Sequence, residues 1–587
     1  MTQQVAEART REAGSGDRLS RKSTYDYVVV GGGPNGLGIA AYLSKWGFSV
    51  CVLDARPEIG GGAENVEPIP GYSIDPHAVF FYAGAAPALE QLDLGRYGFR
   101  LSAMSGSISV RPDGQAMYMR SELLDGTMDP AAYIESMGAT PETAKFYIEF
   151  MSNLGPRLTE FLRSVYWTPP YDERWGIAKA DLPETKMFKE IVPIWDDALL
   201  DMSLYEWAEE MGIPDPIKAG MMIGSWGNGP HPYWKGMLLP CFAVSQLMSV
   251  NNSATVGGMH SFAHAIARCA LAHGARIFVN APVSEVIVRD GRAVGVRVDD
   301  NAALEEKTIH ANLGVIMGTH IKQLPGLMSS GAFAPDLVQR IEDLSLKGGG
   351  LYVANFLTTE TPVFSAAPDA FTGGPEPTVF VLNCDTDRII NGLMRDIHTF
   401  KTHPTKLENY AGVWFLNNGA HDQTRVRGGQ YHVIGMNLQV PAPEEHRDGP
   451  DAVNKATPEI VANIKELVRQ YAPNMTPDKF VHTFVNTPYD SSFRNLGFVG
   501  GNWMGMRESE DEWGSRKPLP ELARYRTPVE GLYLCNQTSH PGGLCLLAVP
   551  YNLMHILHED YEEVSSTTPE WWYPSPWHIT DEEGGTR

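Results

Sequence analysis

Gly31, Gly33 and Gly36 stand in the spacing G-x-G-x-x-G, and one acid, Asp54, closes the next apolar run. Glycines so spaced let a chain turn tightly, let a pyrophosphate approach the backbone and let a helix pack closely on a strand. The surroundings fit that use. Residues 27–30 (Y-V-V-V) form a β-branched run that predicts a buried parallel strand. Pro34 and Asn35 complete the turn, and residues 37–46 predict a helix whose N-terminal N–H groups face phosphate. Gly47 ends it, residues 49–53 predict a second strand, and Asp54 then stands where a carboxylate accepts ribose hydroxyls. The competing reading is a glycine-rich turn in an unrelated α/β unit. Strand, turn, helix, strand and acid in register favour a nucleotide site.

Ala55 follows the acid, and Gly60, Gly61 and Gly62 add a second glycine cluster. Such a cluster gives further close backbone approach to a pyrophosphate. Residues 72–77 (Y-S-I-D-P-H) then read as a loop rich in turn formers, with Asp75 a turn residue, rather than as another β-α unit. That favours FAD over NAD.

The elements that position these residues need a large chain. At 587 residues it exceeds the ~250–300 at which single cores stop growing, so two or three domains are expected. A net charge of −23 repels phosphate, which argues against a nucleic-acid partner. The six cysteines show no C-x-x-C and the histidines no metal-ligand spacing, so reduced buried thiols, a cytoplasmic location and no metal are expected. Residues 1–24 read as a flexible tail. No run of ~18 apolar residues predicts a membrane-spanning helix, and residues 236–250 read as core or tunnel lining.

Three blocks carry a family resemblance. "VLDARPEIGGGAENVEPIPGYSIDPHAVFF", "GGMHSFAHAIARCALAHGARIFVNAPVSEVIVRDGRAVGVRV" and "RYRTPVEGLYLCNQTSHPGGLCLLAVPYNLMHIL" occur in that order. Together they resemble phytoene dehydrogenase-like flavoproteins of the amine oxidase-like FAD superfamily. The resemblance implies an α/β fold: a Rossmann-type, glutathione reductase-like FAD-binding domain with an inserted α+β substrate domain. The implied parts are FAD-binding segments at 25–100, 231–320 and 491–560, substrate segments at 101–230 and 321–490, and a C-terminal tail at 561–587. It places Val283 against the adenine end of FAD, and Gly542 and Gly543 under the isoalloxazine; Leu544, a further cofactor-binding candidate, reads as the start of a helix whose N-terminus would lie there. Pro550 would kink that helix, and Asn536 replaces a small residue usual in the family.

The chemistry so implied is hydride transfer from an apolar small molecule to flavin N5. His77 and His540 are the candidate catalytic groups that would tune the site near neutral pH; each competes with a structural histidine. Glu64 reads as a loop carboxylate near the ribityl or phosphate region. With one nucleotide fingerprint and no cysteine pair, electrons would pass to oxygen, a quinone or a redox protein, not to a disulfide. An isomerase or hydratase without net redox, or a flavin-binding scaffold, are the alternatives. Membrane-surface contact and homo-oligomerisation stay open. Met221, Trp226, Trp234, Leu238 and Phe242 are candidates for an apolar tunnel, and the aromatic tail at 569–578 for docking on its own chain or on a neighbouring copy.

Overall fold

The computed structural model describes residues 23–580 apart from 80, 82, 104–105, 115, 120–128, 248–252, 330, 366–377, 383, 391–412, 417–421, 441 and 545. Most of the expected N-terminal tail, and Cys545, lie outside the described residues, and Thr24 already belongs to the first strand.

Strand β1 (Thr24–Val30) is buried on both faces: Tyr27 and Val29 point into one core, Val28 and Val30 into another. That two-sided burial is what a continuous β-branched run encodes. Helix α1 (Pro34–Trp46) starts three residues before the expected point, with Pro34 in its first turn, where a missing N–H costs nothing. Gly47 closes it in the left-handed conformation at φ 115°. Strand β2 (Val50–Leu53) pairs parallel to β1.

Four strands of the nucleotide sheet come from the middle of the chain: β3 (Arg276–Phe278), β4 (Val283–Arg289), β5 (Arg292–Val298) and β6 (Thr308–Met317). Asp290 and Gly291, both at positive φ, make the β4–β5 hairpin turn. Strand β7 (Leu532–Leu534) returns from the far end of the chain. The order is β4-β5-β6-β1-β2-β3, with β7 beside β6; β3, β2, β1, β6 and β7 run parallel. The carboxyl ends of β1, β2, β6 and β7 therefore gather at one edge, the place where open α/β sheets bind ligands.

A second, mixed sheet joins Gly106–Val110 and Ala116–Met119 to strands drawn from Gly350–Thr358 through Phe480–Asn486. Ile460, Ile464, Leu467 and Val468, at helical spacing on Ala452–Tyr471, cover one face of it. Its other face, through Leu351, Val353, Trp414 and Ile434, merges into the large core shared with α1. Residues 321–344 do not join this unit as expected. Ile321, Leu324, Leu337 and Ile341 pack on the nucleotide sheet instead.

A helical layer completes the core: α2 (Pro141–Tyr166), α3 (Pro183–Ile191) and α4 (Leu238–Leu247). Every residue of α4 is buried. Met221, Trp226, Leu238 and Phe242 are packed core with Trp234 against it, so the candidate tunnel residues are filling rather than lining. No described helix is long and apolar enough to cross a membrane. The chain ends on α5 (Ala548–Asp560) and a segment that folds back on its own chain: Trp571 stacks on Tyr42, and Trp572 packs on Trp46 and His558.

Candidate active site

The turn after β1 is shaped by contacts that exclude side chains. Gly31 sits at φ 106°, and a Cβ on Gly36 would stand 2.0 Å from the Gly31 carbonyl oxygen. Gly33 differs: its Cβ position is open, with Gly61 Cα the nearest atom at 3.8 Å. No side chain caps α1, so its first-turn N–H groups face the open space above Gly33. The second cluster closes the other side. Gly60 donates to the Gly32 carbonyl at 2.8 Å, and Gly61 adopts φ 52° directly against Gly33. The result is a glycine-walled cradle that a side chain would fill, at a helix N-terminus. It fits the pyrophosphate of a dinucleotide cofactor.

Asp54 clasps this turn. One carboxylate oxygen accepts the Gly32 N–H at 2.6 Å and the other the Arg56 N–H at 2.8 Å. Ala55 beside it is exposed, and Val283 opens β4 half-buried. His260, which sequence patterns do not single out, begins the helix His260–Ala272; its Nε2 is buried without a partner near Gly60.

Behind the cradle lies a charged network. Arg56 donates to the Gly61 carbonyl at 3.1 Å and pairs with buried Glu64. Glu64 faces His77 Nδ1 at 3.3 Å, and His77 Nε2 lies 3.1 Å from Ser491 Oγ. Phe498 covers the His77 ring at 4.7 Å and fills the space beside Gly62. His77 is 1% exposed, and burial holds its pKa below the ordinary value. Through Glu64 and Arg56 it braces the glycine loop. Asp75 is not a turn residue. It is buried, pairs with Arg425 at 2.8 Å and accepts the Met259 N–H at 2.9 Å. The preceding residues, Tyr72–Ile74, form a strand paired with Val66–Ile69.

From β7 the chain runs past the cradle edge, where the Cys535 thiol meets the Asn35 carbonyl at 3.4 Å. Asn536 Oδ1 accepts the Thr538 N–H at 2.9 Å and so braces the next turn. The expected helix at Leu544 does not start there. Leu544 and Leu547 both adopt positive φ, which an α-helix cannot contain, and α5 begins at Ala548. Pro550 is thus the third residue of the helix, needs no intrahelical N–H bond and leaves it unkinked. Gly542, at φ 120°, and Gly543 belong to the turn itself.

This turn leads to a pocket of about 260 Å³. Pro169, Pro170, Leu182, Leu239, Trp513 and Trp577 line it together with Glu173, Lys179, Glu184, Glu510, Arg516 and His540. Burial, aided by Lys517, pushes His540 down to about 3, so its ring is neutral at physiological pH. The group poised near neutrality is Glu184, which burial pushes up to about 7. Sequence hides it: Leu182-Pro183-Glu184 reads as the start of a helix with a first-turn acid, and it is that as well. Next to the turn, Lys517 and Glu508 form a buried ion pair that no motif announces. Described cysteines 51, 241, 269, 384 and 535 are free and buried, and no described His, Cys, Asp and Glu cluster could hold a metal ion.

Comparison with known proteins agrees with this geometry. Residues 29–92 match the model of an NAD(P)-binding Rossmann-like domain. The chain is 25% identical to the rat pyridine nucleotide-disulfide oxidoreductase domain-containing protein 2, over 94% of this chain and 96% of that one. It is 22% identical to one of the limonene dehydrogenase subunits of Castellaniella defragrans, over 92% and 96%. A 26% match to the all-trans-zeta-carotene desaturase of Myxococcus xanthus spans 49% and 52%. Among solved structures, an oxidoreductase from Methanosarcina mazei superposes with TM-score 0.56 at 14% identity, covering 91% of this chain and 99% of that one. Wild-type putrescine oxidase bound to putrescine gives TM-score 0.53 at 15% identity, covering 92% and 98%. The described chain therefore has the mixed α/β fold of the amine oxidase-like flavoproteins, built on an NAD(P)-binding Rossmann-like domain, with carotene desaturases among its distant relatives.

Proposed function

We propose that this chain is an FAD-dependent oxidoreductase of the phytoene dehydrogenase-like group, with a glutathione reductase-like nucleotide domain, acting on a largely apolar small molecule. One observation carries the reading: the glycine cradle and the lined pocket are joined by a single turn, residues 536–544. The cradle residues Gly31, Gly33, Gly36, Gly60 and Gly61 would hold the pyrophosphate, with Asp54 holding the turn they form. FAD, when bound, supplies hydride acceptance, and the protein supplies placement and electrostatics. Pro169, Pro170, Leu182 and Trp513 exclude water from the substrate, and Glu184 holds or takes a proton in the pocket. The names of the limonene dehydrogenase and carotene desaturase relatives support an apolar substrate. The described cysteines form no pair, which weighs against disulfide chemistry despite the name of the rat relative. Oxygen, a quinone or a redox protein would take the electrons.

The test is the anaerobic visible spectrum of the FAD-loaded protein mixed with apolar alcohols, enones, polyenes and amines. Bleaching of the oxidised band by one apolar class supports the reading and names the substrate type. A band that no compound bleaches, together with a product of unchanged mass, contradicts it in favour of isomerisation.

A further inference from the structure

Lys517 and Glu508 are an ion pair withdrawn from water: the Lys517 side chain is 0% exposed and that of Glu508 7%. Desolvating two charges commonly costs about as much as their attraction returns, so such a pair adds little to stability. The surrounding backbone is shaped to admit it. A Cβ on Gly542 would stand 2.9 Å from Glu508 Oε1 and 3.1 Å from Lys517 Nζ. On the opposite side, a Cβ on Gly229 would stand 2.6 Å from Glu508 Oε2. Two glycines at positive φ thus bring both charges against bare backbone. The Trp513 ring lies 5.6 Å from the Lys517 ammonium, and that ring lines the pocket. The Tyr166 hydroxyl is buried without a hydrogen-bond partner, and Lys517 acts electrostatically on the buried His540 ring. The pair therefore sits against Gly542, in the turn that joins cradle to pocket.

We infer that Lys517 is a positioning residue for electrons: its ammonium, restrained by Glu508, balances the negative charge that the flavin ring acquires on reduction. The inference rests on the FAD reading above. The balance is simple. The substrate loses a hydride to the ring and a proton to solvent or to a pocket base; the ring gains two electrons and one hydrogen, and with them one negative charge. Lys517 gives up no atom. It supplies a fixed positive charge through a desolvated, preorganised environment, where charges act more strongly than in water.

The test is the midpoint potential of the FAD-loaded protein, measured by equilibration with reference dyes, for wild type, Lys517→Met, Glu508→Gln and the double variant. Lys517→Met should make reduction about 10- to 100-fold less favourable, a fall of about 30–60 mV for a two-electron couple. Glu508→Gln should shift the potential upward, because it frees the ammonium. The double variant, with both charges gone, should lie between the two single variants, and it serves where an unpaired charge prevents folding. A merely structural pair predicts single-variant shifts of the same sign, or none; either result overturns the inference. Wild type that binds no FAD overturns the FAD reading itself, and with it this one. Bound FAD with an unmoved potential overturns this one alone.

Discussion

Gly61 presses on Gly33: a Cβ added to Gly61 would stand 3.0 Å from the Gly33 Cα, although 28 residues separate the two glycines. The contact joins the turn after β1 to the loop after β2 and fixes the width of the cradle. Gly61 also adopts φ 52°, which costs an L-residue roughly 1–2 kcal/mol. Gly61→Ala should therefore lower the thermal midpoint of the protein. Gly36→Ala should do worse, since its Cβ meets backbone at 2.0 Å. Differential scanning calorimetry decides; an unchanged midpoint in both variants would refute the packing described.

The C-terminal segment is part of the molecule's core. Trp572 is 5% exposed and packs on Trp46, His555 and His558. Trp572→Ala should cost about 3–5 kcal/mol. Further along, Trp577 and Ile579 line the pocket, so cutting the chain after residue 568 should also weaken ligand binding there. Urea unfolding of Trp572→Ala checks the first claim, and a loss below about 1 kcal/mol would contradict it.

Several buried histidines are neutral by geometry. His320 Nε2 donates to the Gly505 carbonyl at 2.6 Å while Nδ1 accepts the Lys322 N–H at 3.1 Å, which only the neutral ring can do. Burial pushes His320 down to about 4 and His540 to about 3. The unfolded chain protonates these rings near 6.5 and the folded chain only lower, so the unfolded state binds more protons below 6.5. Their stability contribution is complete above about pH 6.5 and declines as pH falls toward 4. Between pH 7 and pH 5 the thermal midpoint of wild type should fall relative to that of His320→Gln; a constant difference between the two proteins would be inconsistent with a neutral His320 ring.

Glu184 has the opposite pH dependence. Its pKa is raised by burial from 4.5 to about 7, so the folded state holds the proton longer than the unfolded state does. It favours folding below about pH 4.5 relative to higher pH, and that advantage is lost as pH rises to 7. Glu184→Gln should therefore raise the thermal midpoint at pH 8 and leave it nearly unchanged at pH 4.5. Equal effects at both values would remove Glu184 from the pocket chemistry.

Local patterns were legible in sequence, and distant partnerships were not. The strand–turn–helix–strand order around Gly31 and Gly36 could be read because it is set within about two dozen residues, whereas the bonds from Asp54 to the Gly32 and Arg56 N–H groups had no sequence signal. The hairpin at Asp290-Gly291 was readable for the same reason. Asp75 reads as a turn residue beside proline, yet its partner Arg425 comes from 350 residues away. Leu544 and Leu547 gave no sign of positive φ, since leucine ordinarily continues a helix, and so α5 was expected to start too early. Lys517 and Glu508 come from a proline- and glycine-rich stretch without periodicity, and only tertiary packing brings them under Gly542.

The most direct test of the account is FAD binding to Gly33→Ala, followed by flavin fluorescence quenching beside the wild type. Gly33 has ordinary φ and its Cβ position meets only Gly61 Cα at 3.8 Å, an unstrained contact, so the variant should fold with an unchanged apoprotein midpoint. Its methyl group would occupy the space assigned to the pyrophosphate. Wild type should bind FAD, and Gly33→Ala should bind it at least about tenfold more weakly, a cost of about 1.4 kcal/mol or more. Equal FAD affinity in the two proteins would contradict the placement of the cofactor in the cradle.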